Sequence, residues 1–450
     1  MIEALSTKNF QPLGRQIAFC ISLALTGTAF AISPESPSPI TTAQREYRNH
    51  QFTLADLIQE LLTNNSQLRS ATGTATAAQF GVEPAKALDN PSLNITQDPL
   101  RNNPLAVGTS TGMSWSFSQN LSWPGKKQLS GDIAQAQADY TKEQVNQLKA
   151  QLLGQLKTAW INWQQTTAQI QVATVQANRL EQIKAIVKLR YANNAAAYVD
   201  FINAQVTQAQ IQNDILGLQR QAQALLAQIS WLIGYTSDQG LINLETIHIS
   251  AERDLSPLSH FKHRALATNP AIKASKFFLT AAQRSVDLAE LGKRPDFNVG
   301  VLSHSAAPPW GVGNSSGYGL SLSATFPLYF SSKERNLIDQ AKAQLGAARD
   351  ADESLEQQIG LAVETAYLQW AQSIEQLKLT EERIVTQARV GYRMALSNYS
   401  NNQMSYMDLL NSYNTLRTAE LAVEQARSAA LQARIALDVA VGESANQSQE

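Results

Sequence analysis

The chain has 450 residues, with 36 Lys+Arg against 37 Asp+Glu for a formal net charge of −1, and only 16% of it is charged, against roughly 25% in an average soluble domain. There is no basic excess and no basic stripe, which argues against a nucleic-acid partner held through its phosphates. One Cys and 5 His exclude a disulfide framework or a multi-thiolate metal centre within one chain, and no cofactor is expected.

At the N-terminus Lys8 and Arg15 precede the apolar run Ile17–Leu25, which is followed by Gly27-Thr28-Ala29-Phe30-Ala31. Basic flank, apolar stretch and an A-x-A site are the layout of a secretory signal peptide over residues 1–31. The 16 residues from Ile17 to Ile32 are short for a spanning helix. Cys20 lies inside the run behind bulky Phe19, which does not suit lipidation. Residues 32–50, with Pro34, Pro37 and Pro39, read as a disordered leader. No later apolar run approaches the ~20 residues of a transmembrane helix, so any membrane span must be of the β type.

From there the chain is one unit written twice. Thr63-Asn64-Asn65-Ser66-Gln67-Leu68 recurs as Ala267-Thr268-Asn269-Pro270-Ala271-Ile272, and Asn90-Pro91-Ser92-Leu93-Asn94-Ile95 as Arg294-Pro295-Asp296-Phe297-Asn298-Val299. Thr158-Ala159-Trp160-Ile161-Asn162-Trp163 recurs as Thr365-Ala366-Tyr367-Leu368-Gln369-Trp370. Tyr191 and Tyr198 match Tyr399 and Tyr406, and Gly234 and Gly442 close the two units. The offset drifts only from 204 at Asn65/Asn269 to 208 at the tyrosines and final glycines. The repeats span 51–234 and 259–442, joined by a linker at 235–258 and followed by a polar tail at 443–450.

Each repeat predicts a short helix, two strands, a long helix, a tight turn and a medium helix. The first short helix is expected from Leu54 to Gln79, ended by Gly81, Pro84 and Pro91. Met113, Trp115, Phe117, Leu121 and Trp123 alternate with Ser and Asn, the period of a strand with one oily and one wet face. Leu320–Leu328 repeats the pattern, and Leu93–Ile95 and Phe297–Val301 supply partner strands. From Lys127 to Ala192 there is no proline, and Leu148, Leu152, Leu156, Trp160, Trp163, Ile170 and Ala177 form a helical seam. A rod of about 66 residues is roughly 99 Å long at 1.5 Å per residue, and a medium helix over Val199–Ile233 returns along it.

Taken singly, a hairpin of this kind suits a soluble core and such a seam suits an ordinary coiled coil. The Ser/Asn/Thr face instead suits a water-filled lumen. Trp115, Trp123, Trp310, Tyr318 and Phe326 near the strand ends suit membrane-interface girdles.

Together these features resemble the TolC-like outer-membrane efflux protein family. The resemblance is carried by Leu121-Ser122-Trp123-Pro124-Gly125, Phe326-Pro327-Leu328-Tyr329-Phe330 and the turns at Asn193-Asn194 and Asn401-Asn402. It covers roughly residues 51–442, and the Trp-Pro-Gly-Lys-Lys exit is most similar to the heavy-metal-type branch. It implies an α+β membrane protein: an internally duplicated long-helix α-barrel with a four-stranded contribution to a trimeric transmembrane β-barrel. Implied with it are a homotrimer in outer-membrane lipid, a periplasmic adaptor, an inner-membrane pump and passive conduction without catalysis. The rival reading is a periplasmic coiled-coil scaffold or adaptor that never spans a membrane.

The resemblance places the turns at the periplasmic tip. Asn193, Asn194, Asn401, Asn402 and Ser405 become candidates for adaptor docking. Asp408, Asn411, Asp200 and Asn203 become candidates for the tunnel mouth, with Asn411 standing where some members carry a second acid. Asn194 and Asn402 occupy a position commonly held by glycine, a role Asn fills because it tolerates the left-handed conformation. Ser405 and Asp408 also have the S-x-x-D spacing of a capping box, so Asp408 has two readings, gate charge and helix cap. His260 and His263 are expected to be plain surface histidines.

Overall fold

A computed structural model describes residues 51–97, 113–235, 243–245, 256–305 and 317–442. The predicted signal peptide, leader and tail, most of the linker, and Trp310 lie outside the described residues.

The first repeat begins with β1 (Gln51–Phe52) and α1 (Leu54–Asn64). A reciprocal box caps α1: Thr53 Oγ1 accepts from the Asp56 N–H at 3.2 Å and the Asp56 carboxylate accepts from the Thr53 N–H at 2.9 Å. The single helix expected over Leu54–Gln79 is two, because Asn65 is extended at ψ 122° and its side chain caps α2 (Ser66–Phe80). Pro84 does not end the segment but sits in a further short helix, α3 (Val82–Lys86), in a first turn that needs no N–H from it. The second repeat breaks at the same place: Asn269 separates α6 (Leu258–Thr268) from α7 (Pro270–Leu291), and Pro270 takes the first helical position, where a missing N–H is harmless.

Four antiparallel strands follow from the two repeats: β2 (Ser92–Gln97) and β3 (Met113–Leu121), then β5 (Asp296–Ser305) and β6 (Gly317–Thr325). Their order is β2-β3-β5-β6, so β3 and β5 join the repeats and β2 and β6 form the edges. Between the repeats, β4 (Asn243–Leu244) pairs in parallel with β1 and buries Leu244 near Phe52 in one apolar cluster. That tie between linker and first repeat is too short to show a period.

The long helix α4 runs from Lys126 to Ala192, 67 residues, or about 100 Å at 1.5 Å per residue. It returns through α5 (Tyr198–Leu232). In the second repeat α8 (Glu334–Leu379), one wide turn at Thr380–Ile384 and α9 (Val385–Ser400) form a continuous run matching α4 in length, and α10 (Tyr406–Val441) returns. Within the wide turn the Glu381 carboxylate accepts from Arg427 of α10 at 2.7 Å. Helix α4 packs on α5, α7 and α10. Gly154 lets α10 approach, since a Cβ there would lie 2.5 Å from Val439 Cγ2.

The short helices complete two of the apolar cores along the rods. Leu57 and Leu61 of α1 pack with Leu156, Trp160 and Trp163 of α4. Phe261 of α6 packs on Trp370 of α8, ring centroids 6.2 Å apart, with the Arg434 guanidinium 4.8 Å from the Trp370 ring centre. Each such side chain, fully buried, contributes about 1.5–3 kcal/mol.

Candidate functional site

Two regions carry the functional expectations: the sheet and the helical tips at its far end. In the sheet the register sorts side chains by face. The row Leu93–Phe117–Val301–Leu320 crosses all four strands, and Ile95–Trp115–Ser303–Tyr318 and Gln119–Val299–Leu322 flank it. These residues share one face because directly paired residues point the same way. Leu320, Tyr318 and Leu322 are 87%, 80% and 75% exposed. The opposite face holds the rows Ser92–Ser118–Gly300–Ser321 and Asn120–Asn298–Ser323, with exposed Leu302 as its apolar exception. Within these rows Gln119 and Ser303 are the polar exceptions on the apolar face.

An unpartnered apolar band on one side of a sheet and Ser, Asn and Gly on the other is the inverse of a soluble hairpin, which hides its oily face. Of the girdle candidates, Trp115 and Tyr318 lie in the row toward the distal loops. Trp123 and Phe326 follow the ends of β3 and β6 toward the helices. No described helix is long and apolar enough to cross a membrane.

At the tips, Asn194 and Asn402 adopt φ of +53° and +62°, closing the turns between α4 and α5 and between α9 and α10. Asn193 and Asn401 are the residues immediately after α4 and α9. Ser405 Oγ accepts from the Asp408 N–H at 3.2 Å and donates to the Asp408 carboxylate at 2.6 Å. The cap is therefore real but not a reciprocal box, since the carboxylate meets the hydroxyl and not the Ser405 N–H. Asp408 and Asn411 are exposed on one face of α10, and Asp200 and Asn203 are half-buried on α5. Ala197 offers α5 no side-chain cap.

Sequence reasoning missed what ties these turns together. The Arg190 guanidinium lies 4.1 Å from the centre of the Tyr399 ring, donates to the Tyr399 carbonyl, and donates to the Ala195 carbonyl at 3.0 Å. Tyr399 packs edge-on to Tyr406 at 6.3 Å, and both are buried. Their repeat equivalents Tyr191 and Tyr198 make a similar contact at 5.5 Å yet stay exposed. The residue corresponding to Arg190 in the second repeat is Asn398. The matched tyrosines were the signal; their unequal burial needed three-dimensional contacts.

Burial, then the charges of Asp200 and Tyr399, push the Tyr406 phenol up to about 12. The neutral phenol is the favoured form, so this contribution to stability is complete below the ordinary value near 10. It is lost as pH rises from there toward about 12. The Tyr406 hydroxyl has no hydrogen-bond partner, so Tyr406→Phe is expected to remove a late-titrating phenol in an ultraviolet titration without lowering the thermal midpoint. The Tyr413 hydroxyl donates to the Gln176 carbonyl at 2.9 Å, and Tyr413→Phe is expected to cost about 1 kcal/mol.

His260 and His263 are exposed on α6. Among the described residues no group of three or more His, Cys, Asp or Glu is placed to hold a metal.

A family model described as outer membrane efflux protein matches residues 57–235 and 262–443. The outer membrane efflux protein BepC of Brucella suis biovar 1 is 26% identical over 182 residues, a stretch covering 40% of this chain and 39% of that protein. Among solved structures, the outer-membrane channel OprN superposes with a TM-score of 0.74 at 16% identity, over 91% of this chain and 98% of that one. The outer membrane protein VceC of Vibrio cholerae superposes with a TM-score of 0.74 at 17% identity, over 86% and 96%.

Proposed function

The chain belongs to the outer membrane efflux protein family, and from that premise we propose that it is the outer-membrane duct of a tripartite efflux or type I secretion system. It conducts cargo passively, working with a periplasmic adaptor and an inner-membrane pump. The observation that carries the reading is the exposed apolar face of a sheet whose edges, β2 and β6, are free to pair. Three sheets joined β6 to β2 close a barrel with the apolar face toward lipid and the Ser/Asn face toward a wet lumen. From Trp115 to Trp123, which lies two residues past the end of β3, the chain covers at most about 27 Å at 3.4 Å per residue, or about 21 Å of depth when tilted by about 40°, near the ~25 Å apolar band of such barrels. Trp115 and Tyr318 then mark one interface, and Trp123 and Phe326 the other. A soluble scaffold has no use for that band, and the family does not favour it.

The internal repeat supplies the trimer contact. Within a protomer Arg190 covers Tyr399; between protomers Asn398 takes the corresponding place beside the neighbour's exposed Tyr191. Asn398→Cys combined with Tyr191→Cys is expected to give disulfide-linked trimers in detergent-extracted membranes. Uncrosslinked chains released by a salt wash would favour the scaffold instead.

Tunnel-mouth and docking roles at the tips follow from the same assembly. Three copies of Asp408 ring the mouth, with Asn411 one helical turn on and Asp200 and Asn203 on the first-repeat hairpin. The turns at Asn193-Asn194 and Asn401-Asn402, with Ser405, face the adaptor. Asp408→Asn keeps an oxygen for the Ser405 hydroxyl and removes only charge. It is expected to weaken block of single-channel conductance by divalent cations, and unchanged block would assign Asp408 to capping alone.

A further inference from the structure

At the helix end of the sheet, we propose, a ledge of cations and aromatic rings on each protomer binds the phosphate headgroup of an anionic phospholipid. This rests on the outer-membrane reading above and extends it from a generic apolar band to a specific headgroup contact. Three segments converge there: the exit of β3, the start of β5 and the exit of β6. Trp123 stacks on Phe297 at 6.0 Å, the Arg294 guanidinium stands 5.6 Å from the Trp123 ring centre, and Lys293 Nζ stands 5.7 Å from that of Phe330. Exposed Lys333 follows Phe330 by three residues, just before α8.

The cations are available because none of the nearby acids pairs with them. Lys126 Nζ holds both Asp296 carboxylate oxygens at 2.9 Å, Lys127 holds Asp89 at 2.6 Å, and Lys342 lies 3.6 Å from Glu290. Glu334, beside Lys333, buries one carboxylate oxygen that has no hydrogen-bond partner and does not pair with that lysine. Arg335 faces Asp339 at 4.0 Å and is left out of the ledge. Among the described residues Lys293, Arg294 and Lys333 have no carboxylate partner.

The ledge is also fixed in place. The Trp123 N–H donates to Asp296 Oδ1 at 2.8 Å, and Lys126 Nζ donates to the Arg294 carbonyl at 3.3 Å. The β3 exit and β5 start are therefore pinned to each other while the Arg294 side chain points outward. Phe326, Leu328, Tyr329 and Phe330 are exposed and continue the apolar band of β6. Apolar surface below, aromatic rings at the boundary and unpaired cations beyond them form the sequence that an acyl chain, glycerol and phosphate present in turn. Continuity with the lipid-facing band selects a lipid phosphate over a free one.

The test uses the full-length trimer reconstituted in phosphatidylcholine nanodiscs with and without phosphatidylglycerol, followed by native mass spectrometry of retained lipid. Wild type is expected to retain phosphatidylglycerol. The triple variant K293Q/R294Q/K333Q should retain it with on the order of a hundredfold lower affinity, about fivefold per cation removed. The variant K188Q/K273Q/K276Q removes equal charge from exposed sites on α4 and α7 and should retain it like wild type. Equal retention by wild type and the ledge variant would overturn the proposal. So would equal loss in the shaft variant, which would mean bulk charge only, or complete displacement by inorganic phosphate, which would mean a free-anion site. Wild type failing to enter nanodiscs of either composition would overturn the outer-membrane reading itself, a result distinguishable from loss of the headgroup alone.

Discussion

Leu320→Arg is expected to prevent assembly of the membrane-embedded trimer, whereas Ser323→Arg, three residues along the same strand, is expected to leave it intact. Leu320 lies in the row with Leu93, Phe117 and Val301, one step inside the Trp115–Tyr318 row and so within the apolar band. A charged side chain on the lipid face of a barrel costs about 2–4 kcal/mol at the midplane and less toward the interfaces, and a homotrimer incurs the cost three times. Ser323 lies on the other face, opposite Asn298, where a water-filled lumen solvates the guanidinium. Heat-modifiable migration of extracted membranes reads both variants. Equal tolerance of the two would mean that neither face meets lipid, and equal loss would mean that β6 tolerates no long side chain on either face.

That contrast was legible before any coordinates, because a strand's period of two assigns each residue to a face from local sequence alone. Which strands meet was not. The β3–β5 pairing that joins the repeats links residues about 180 positions apart, and no local pattern encodes it. The long helix was legible from the absence of proline and the seam through Leu152, Leu156, Trp160 and Trp163. The wide turn at Thr380–Ile384 carries no proline or glycine to announce it. At the tips, the left-handed Asn194 and Asn402 follow from residue type and turn position. The Arg190–Tyr399 contact required packing between two hairpins, and its absence at Asn398 makes the two turns chemically unequal.

Asn65→Ala is expected to lower the stability of the first repeat by about 2–6 kcal/mol, the largest effect foreseen for one side chain in the helical region. Asn65 is 4% exposed; its Oδ1 accepts from the Leu68 N–H at 2.9 Å and its Nδ2 donates to the Leu232 carbonyl at 2.8 Å. One amide therefore caps the start of α2 and holds the end of α5, 167 residues away. Removing it leaves a donor and an acceptor unsatisfied, each costing about 1–3 kcal/mol when buried. Asn269, 7% exposed, does the same in the second repeat, accepting from the Ala271 N–H and donating to the Ala440 carbonyl, both at 2.9 Å.

Beside each clasp sits a left-handed glycine, Gly234 at φ +82° and Gly442 at φ +85°. A Cβ at Gly234 would lie 2.6 Å from the Asn64 carbonyl oxygen, which is backbone of the same break. Gly234→Ala therefore combines left-handed strain of about 1–2 kcal/mol with a collision that displaces Asn65. Because both substitutions disrupt one contact, the double variant should lose less than the two single losses added together. The temperature at which the extracted trimer dissociates reads all three variants. An unchanged temperature for Asn65→Ala would mean that the helices are held by their apolar clusters alone, and strict additivity would mean that the glycine and the asparagine act independently.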